Sequence, residues 1–151
     1  MIIRQAGRDD LAAVSGLIDA AYSHYIPIIG RVPRPMKDDH AARISRGEHF
    51  VLEDAGRILG VITLETGCAD ALHIYNIALH PDAQGRGLLH RLLAFAEDRA
   101  RLGALHWLTL YTNVVMTRNR AIYAHLGFVE LREEESDGYR IVFMQRPVAV
   151  S

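Results

Sequence analysis

One run of this chain, Ile74–Arg91, gathers residues whose types and spacing suit chemistry: Ile-Tyr-Asn-Ile-Ala-Leu-His-Pro-Asp-Ala-Gln-Gly-Arg-Gly-Leu-Leu-His-Arg. A strand-like apolar segment ends at Leu79, a loop with Gly85 and Gly87 follows, and a strong helix pattern starts at Leu88. Such a loop presents consecutive backbone N–H groups at the positive end of a helix, which suits a phosphate group. Gly85 and Gly87 carry no Cβ, so oxygens can approach the main chain and φ can turn positive. Two common phosphate loops do not fit. The chain contains no Gly-x-x-x-x-Gly-Lys-Ser/Thr run. The pattern Gly-x-Gly-x-x-Gly fails at its third glycine, which is His90, and the acid expected about 20 residues on is missing from Trp107–Asn113.

The surroundings make the run specific. Gln84-Gly-Arg-Gly-Leu-Leu89 resembles the Gln/Arg-x-x-Gly-x-Gly/Ala pyrophosphate loop of the GNAT superfamily of N-acetyltransferases. It is preceded by a strand ending in Ala-Leu-His-Pro81 and followed by Ile122-Tyr-Ala-His-Leu-Gly-Phe128, the family's tyrosine motif. The histidine spacings predict no metal, and the resemblance implies that acetyl-CoA is the co-substrate. It places the pyrophosphate on Gln84, Gly85, Arg86, Gly87, Leu88, Leu89 and His90, and the pantetheine arm along Ile77, Ala78 and Leu79 at a bulged, splayed strand. It also makes Tyr123 the acid for the departing thiolate, against the ordinary use of a tyrosine as a packed helix aromatic.

Three positions depart from the family pattern. Leu89 stands where the loop ends in a small residue, and Met116 where an asparagine contacts the cofactor, leaving Asn119 as a substitute donor. Tyr75 and Asn76 stand where many relatives carry a glutamate. The candidate bases are therefore Glu65, His73 and Asp70; a solvated glutamate, a hydrogen-bonded histidine and a relay through water are the competing roles. The reaction expected is direct acetyl transfer to a primary amine of a small molecule or peptide. The alternative is a non-catalytic acyl-CoA-binding sensor, and a nucleotide-binding enzyme is the weaker rival. The acceptor pocket is expected from Tyr22–Met36 and the tip Glu133–Asp137, whose four acids either attract a cationic amine or form an ordinary solvated loop. Similar proteins often dimerise, so the resemblance allows a homodimer.

Composition sets the frame. The chain has 151 residues, 17 basic against 18 acidic, and half of them are hydrophobic. That is one globular domain with no field directed at nucleic acid or an acidic membrane. Lys37 is the single lysine, a compositional bias to which no ligand is attached. Cys68 is the single cysteine, so no disulfide forms within the chain and a free thiol in a turn is expected. Eight histidines occur without His-x-x-x-His spacing, which predicts scattered core or surface roles. The start breaks into charge at Arg4 and no apolar run approaches the ~18 residues of a membrane span, so a cytoplasmic protein is expected.

The elements that must position the run read in order. A strand at Ile2–Arg4 precedes an amphipathic helix over Asp9–Tyr22, with Leu11, Val14, Leu17, Ile18 and Ala21 on one side. Tyr22–Pro35, rich in proline, is expected to be irregular, and Lys37–Arg46 a short helix. Phe50–Glu53 and Ile58–Thr66 form a hairpin, Gly67–Asp70 a turn and Leu72–Leu79 a strand. A helix over Leu88–Leu102, capped at Gly103, leads to a strand over His106–Thr112 and a helix over Arg118–Leu126 closed by Gly127. Phe128–Glu133 with Tyr139–Gln145 makes the last hairpin. Strands alternating with helices demand parallel pairing in the second half, and the hairpins antiparallel pairing elsewhere. The expected fold is α/β (α+β): a single GNAT-like domain over residues 1–147, with a mixed central β-sheet of about seven strands, about four flanking helices, and 148–151 a short tail.

Overall fold

The apolar stripe after Asp10 forms α1 (Leu11–Tyr22), which buries Val14, Leu17 and Ile18. In this computed structural model residues 1–149 are described, with 67 and 68 described by backbone alone; the last two residues of the expected tail, and the Cys68 side chain, lie outside the described residues. Hydrogen bonding orders seven strands as β1-β2-β3-β4-β5-β7-β6. Contacts gather in two compact units, residues 1–64 with 75–95, and residues 65–74 with 96 onward.

In the first unit β1 (Ile2–Gln5) pairs antiparallel with β2 (His49–Asp54), and β2 with β3 (Arg57–Cys68). Val51, Val61, Ile44 and Ala78 close over the buried side of α1. β4 (Ala71–Leu79) leads through a 3-10 turn, Pro81–Ala83, to α5 (Leu88–Leu102). Phe50 meets Phe95 of α5 with ring centroids 5.0 Å apart. Gly60 of β3 leaves room for this packing. A Cβ there would stand 3.1 Å from Leu79 Cδ2 and 3.2 Å from Leu92 Cδ1, so any larger residue would push these leucines back by a few tenths of an ångström.

In the second unit β4 pairs in parallel with β5 (Trp107–Asn113), from Ala71–Trp107 to Ile74–Leu110. β5 pairs antiparallel with β7 (Tyr139–Pro147), and β7 with β6 (Val129–Ser136). Leu108 and Leu110 of β5 are buried between half-buried positions, and Ile141, Val142 and Met144 of β7 are buried as well. Arg146 ties this unit together, donating to Glu97 at 2.8 Å and to the Leu126 carbonyl at 3.0 Å. The seven-stranded mixed sheet is the expected one.

Several boundaries differ from the sequence reading. Tyr22–Pro35 is not irregular: it holds a 3-10 turn at Ser23–Tyr25, α2 (Ile26–Ile29) and the start of α3 (Arg34–Lys37). Pro27 and Pro35 fall in first turns, where a helix needs no N–H donor. The helix expected over Lys37–Arg46 shrinks to α4 (His40–Ser45), because Asp38 is extended and Asp39 caps it by accepting from Ala42 N–H at 3.0 Å. β3 runs through residue 68, which leaves the turn to Ala69 and Asp70. After α5 the left-handed residue is Ala104, at φ 54°, not Gly103. The last hairpin turns at Asp137–Gly138, with φ 50° and 80°, so Glu133, Glu134 and Glu135 stand on β6 and not in a loop. Arg140 and Arg132 pair with Glu133 and Glu134, each at 3.3 Å, and offset the acidic tip.

Candidate active site

The loop after β4 takes the conformation its glycines permit. Gly85 and Gly87 sit at φ 78° and 74°, the left-handed region that other residues enter at a cost. Nothing lies within 4 Å of a Cβ built on either, so conformation and not crowding requires glycine there. Between them Arg86 is exposed and 3.9 Å from Asp54. α5 then begins with Leu88 buried as its anchor, while Leu89 is half-buried and His90 exposed. Its first N–H groups have no partners within the helix, as at any helix start. The loop is fastened at its other end too. His80 N–H donates to the Leu59 carbonyl at 2.8 Å, and His80 Nδ1 accepts from Asp82 N–H at 3.1 Å. Arg57 reaches Asp82 at 3.1 Å. Gln84 is exposed between the 3-10 turn and the glycines.

Upstream, Ala78 is buried while Ile77 and Leu79 are half-buried. Two residues just before them are held by helices. Tyr22 Oη donates to Asn76 Oδ1 at 2.6 Å and lies 3.4 Å from the Ile77 carbonyl. The Arg43 guanidinium lies over the Tyr75 ring, 4.0 Å from its centroid. Burial alternates along this end of the strand, with Asn76 and Ala78 buried and Tyr75, Ile77 and Leu79 half-buried. Asn76 Nδ2 is buried and has no hydrogen-bond partner among the described residues. Tyr22 was expected only as a pocket residue, and its bond to Asn76, 54 positions away, has no signature in sequence.

The second unit contains the other candidates. Tyr123 on α6 (Thr117–His125) is buried, with its ring edge-on to Phe128 at 5.9 Å. Gly127, at φ 94°, lets the chain reverse so that Phe128 N–H reaches the Tyr123 carbonyl at 3.0 Å. Asn119 is half-buried on the same helix, while Met116 at its cap is buried and lies 3.7 Å (Sδ) from Thr112 Oγ1. His73 is buried, with Nδ1 2.9 Å from Thr109 Oγ1 and its ring stacked on Tyr111. Glu65 is half-buried on β3. Asp70, by contrast, is exposed and paired with His106.

Known proteins share this fold. The sequence pattern of the acetyltransferase (GNAT) domain matches residues 45–130. The fold superposes on the ribosomal-protein-S18-alanine N-acetyltransferase of Escherichia coli with a TM-score of 0.76, at 22% identity over 99% of this chain and 95% of that one. A PaiA N-acetyltransferase from Thermoplasma acidophilum, solved with coenzyme A, gives 0.79 at 17% identity over 97% and 98%. The N-acetylglutamate synthase of Neisseria gonorrhoeae, solved with coenzyme A and N-acetyl-glutamate, gives 0.75 at 24% identity over 99% of this chain and 35% of that one. With its glycine loop, its tyrosine helix and its seven-stranded mixed sheet, the chain belongs to the GNAT acetyltransferase family.

Proposed function

We propose that the protein transfers the acetyl group of acetyl-CoA directly to a primary amine of a small molecule or peptide. The observation that carries this is the pair of left-handed glycines, φ 78° and 74°, leading from the 3-10 turn after β4 into the start of a 15-residue helix. Backbone donors of Gln84–His90 would hold the pyrophosphate, and Ile77–Leu79 would pair with the pantetheine arm. A backbone N–H of Ile77–Leu79 would also steady the charge that grows on the carbonyl oxygen during attack. The amine must lose a proton first, since a lysine-like ammonium has pKa ~10.4. Asn76 cannot accept that proton, so Glu65, His73 or a water relay would take it. Tyr123 would return a proton to the departing thiolate, with Asn119 a further cofactor contact.

The missing carboxylate at Tyr75–Asn76 favours one second reading, an acyl-CoA-binding module without turnover. Calorimetry with CoA, followed by acetyl-CoA turnover over a panel of amines and peptides, separates the two. Binding with turnover on at least one acceptor is expected. Tight binding without turnover on any acceptor would establish the sensor, and no binding would end both.

A further inference from the structure

Outside the site described above, buried polar side chains converge at one place in the first unit. His49 on β2 and Thr63 on β3 are fully buried, and His40 at the start of α4 is 8% exposed. His40 Nδ1 stands 3.0 Å from His49 Nε2, and His49 Nδ1 stands 2.8 Å from Thr63 Oγ1. Asp38, half-buried in the α3–α4 joint, completes the group. One ligand atom from each of Asp38, His40 and His49 lies within 4.8 Å of the others.

We propose that Asp38, His40 and His49 form a binding site for a zinc-class divalent metal ion. Two imidazole nitrogens on one tetrahedral zinc, each at about 2.0–2.1 Å, stand roughly 3.4 Å apart. The observed 3.0 Å reaches that separation by a shift of a few tenths of an ångström. Thr63 holds the far nitrogen of His49, which directs Nε2 at the site, the usual second contact of a ligating histidine. Arg43 Nε donates to Asp38 Oδ2 at 2.9 Å and fixes the carboxylate. Arg43 also reaches Glu48 at 3.2 Å, so two carboxylates face one buried guanidinium. Arg46 meets Glu48 from solvent, its side chain 55% exposed. Two carboxylates thus face two guanidiniums with no net charge, and what draws a cation is the Asp38 carboxylate together with the imidazole lone pairs. Two imidazoles and one carboxylate select zinc, cobalt or nickel over calcium and magnesium. Asp38 opens the site toward solvent, which supplies the route in and a water as fourth ligand.

The site would join the α3–α4 joint, α4 and β2. A six-residue helix has little stability of its own, so a metal clamp there has something to hold. The metal-free competitor is a plain hydrogen-bond chain, with His40 Nδ1–H donating to His49 and His49 Nδ1–H donating to Thr63.

The test uses the whole protein after chelator treatment. Calorimetry with zinc chloride should show one ion per chain, and the melting temperature should rise with zinc concentration. Cobalt chloride should give the visible bands of a four-coordinate ion. His40→Gln keeps an N–H for His49 but removes a ligand, so metal-free stability should persist while zinc affinity falls at least about tenfold. Asp38→Asn should weaken zinc similarly and decides the matter if His40→Gln does not fold. Absence of zinc binding by the wild-type protein would overturn the proposal. So would wild-type affinity in a folded variant, which would assign the binding to surface histidines.

Discussion

The loop Gln84–His90 and the cluster around His49 are opposite ways of building a polar site. The loop is contiguous in sequence and largely exposed, and two glycines set the direction of the main-chain N–H groups proposed to bind there. The cluster draws Asp38, His40, His49 and Thr63 from four places, and its inner members are sealed in the core. A backbone site can be broken at one residue without disturbing the fold. A buried side-chain site is tied to stability, because each group left unpaired keeps its desolvation cost. Function and folding should therefore separate at the loop and be coupled at the fully buried His49 of the cluster.

The largest effect expected is at Gly87. Gly87→Asp sets a carboxylate among the groups proposed for the pyrophosphate and asks a side chain to adopt φ 74°. Calorimetry should find CoA binding abolished, while the melting temperature falls by only a few degrees. Wild-type affinity in this variant would remove the loop from the site.

Next comes Tyr123, a buried side chain assigned a chemical task and thus a test of whether the contrast extends to catalysis. Tyr123→Phe keeps the ring edge against Phe128 and deletes the phenol. The expected fall in kcat is about 10²–10⁴-fold, with CoA affinity nearly unchanged. A loss that merely tracks stability would make the ring a core residue and nothing more.

The cluster should report through acid. Burial first, and His40 second, push His49 from the usual 6.5 down to about 4. Asp38 and Glu48 oppose that shift and Arg43 reinforces it, while Thr63 is neutral. Between those values the unfolded chain takes up a proton that the native protein refuses. Stability is thus complete above about pH 6.5 and is lost as pH falls toward 4, by up to about 3 kcal/mol. Urea midpoints of chelator-treated protein at pH 7 and 4.5 measure the loss. A His49→Gln variant should show a smaller difference between the two pH values; an equal one would place the acid sensitivity elsewhere.

The smallest effect is expected at Gly85. Gly85→Ala meets open space, so its cost is only the left-handed φ of 78°, about 1 kcal/mol. That corresponds to roughly 2–4 °C in melting temperature. A larger drop would mean that the loop is packed more tightly than its open surroundings indicate.

The loop, the order of elements and the mixed sheet were all determined by the sequence alone. Their causes are local: glycine at special φ, an apolar period of 3.6 along α1 and α5, and turn residues between strands. Local rules also explain the misreadings. The prolines of Tyr22–Pro35 read as helix breakers, although Pro27 and Pro35 stand at helix starts. The acids after Glu133 read as a loop, although Asp137–Gly138 made the turn and left them on a strand. Only the tertiary structure decided that Tyr22 would hold Asn76, that Arg43 would cover Tyr75, and that His40 would meet His49. Those pairings depend on how α1 and α4 lie over the strands, and that follows from packing between side chains distant along the chain. Histidines nine positions apart carry no periodic signal, whereas two glycines in one loop do.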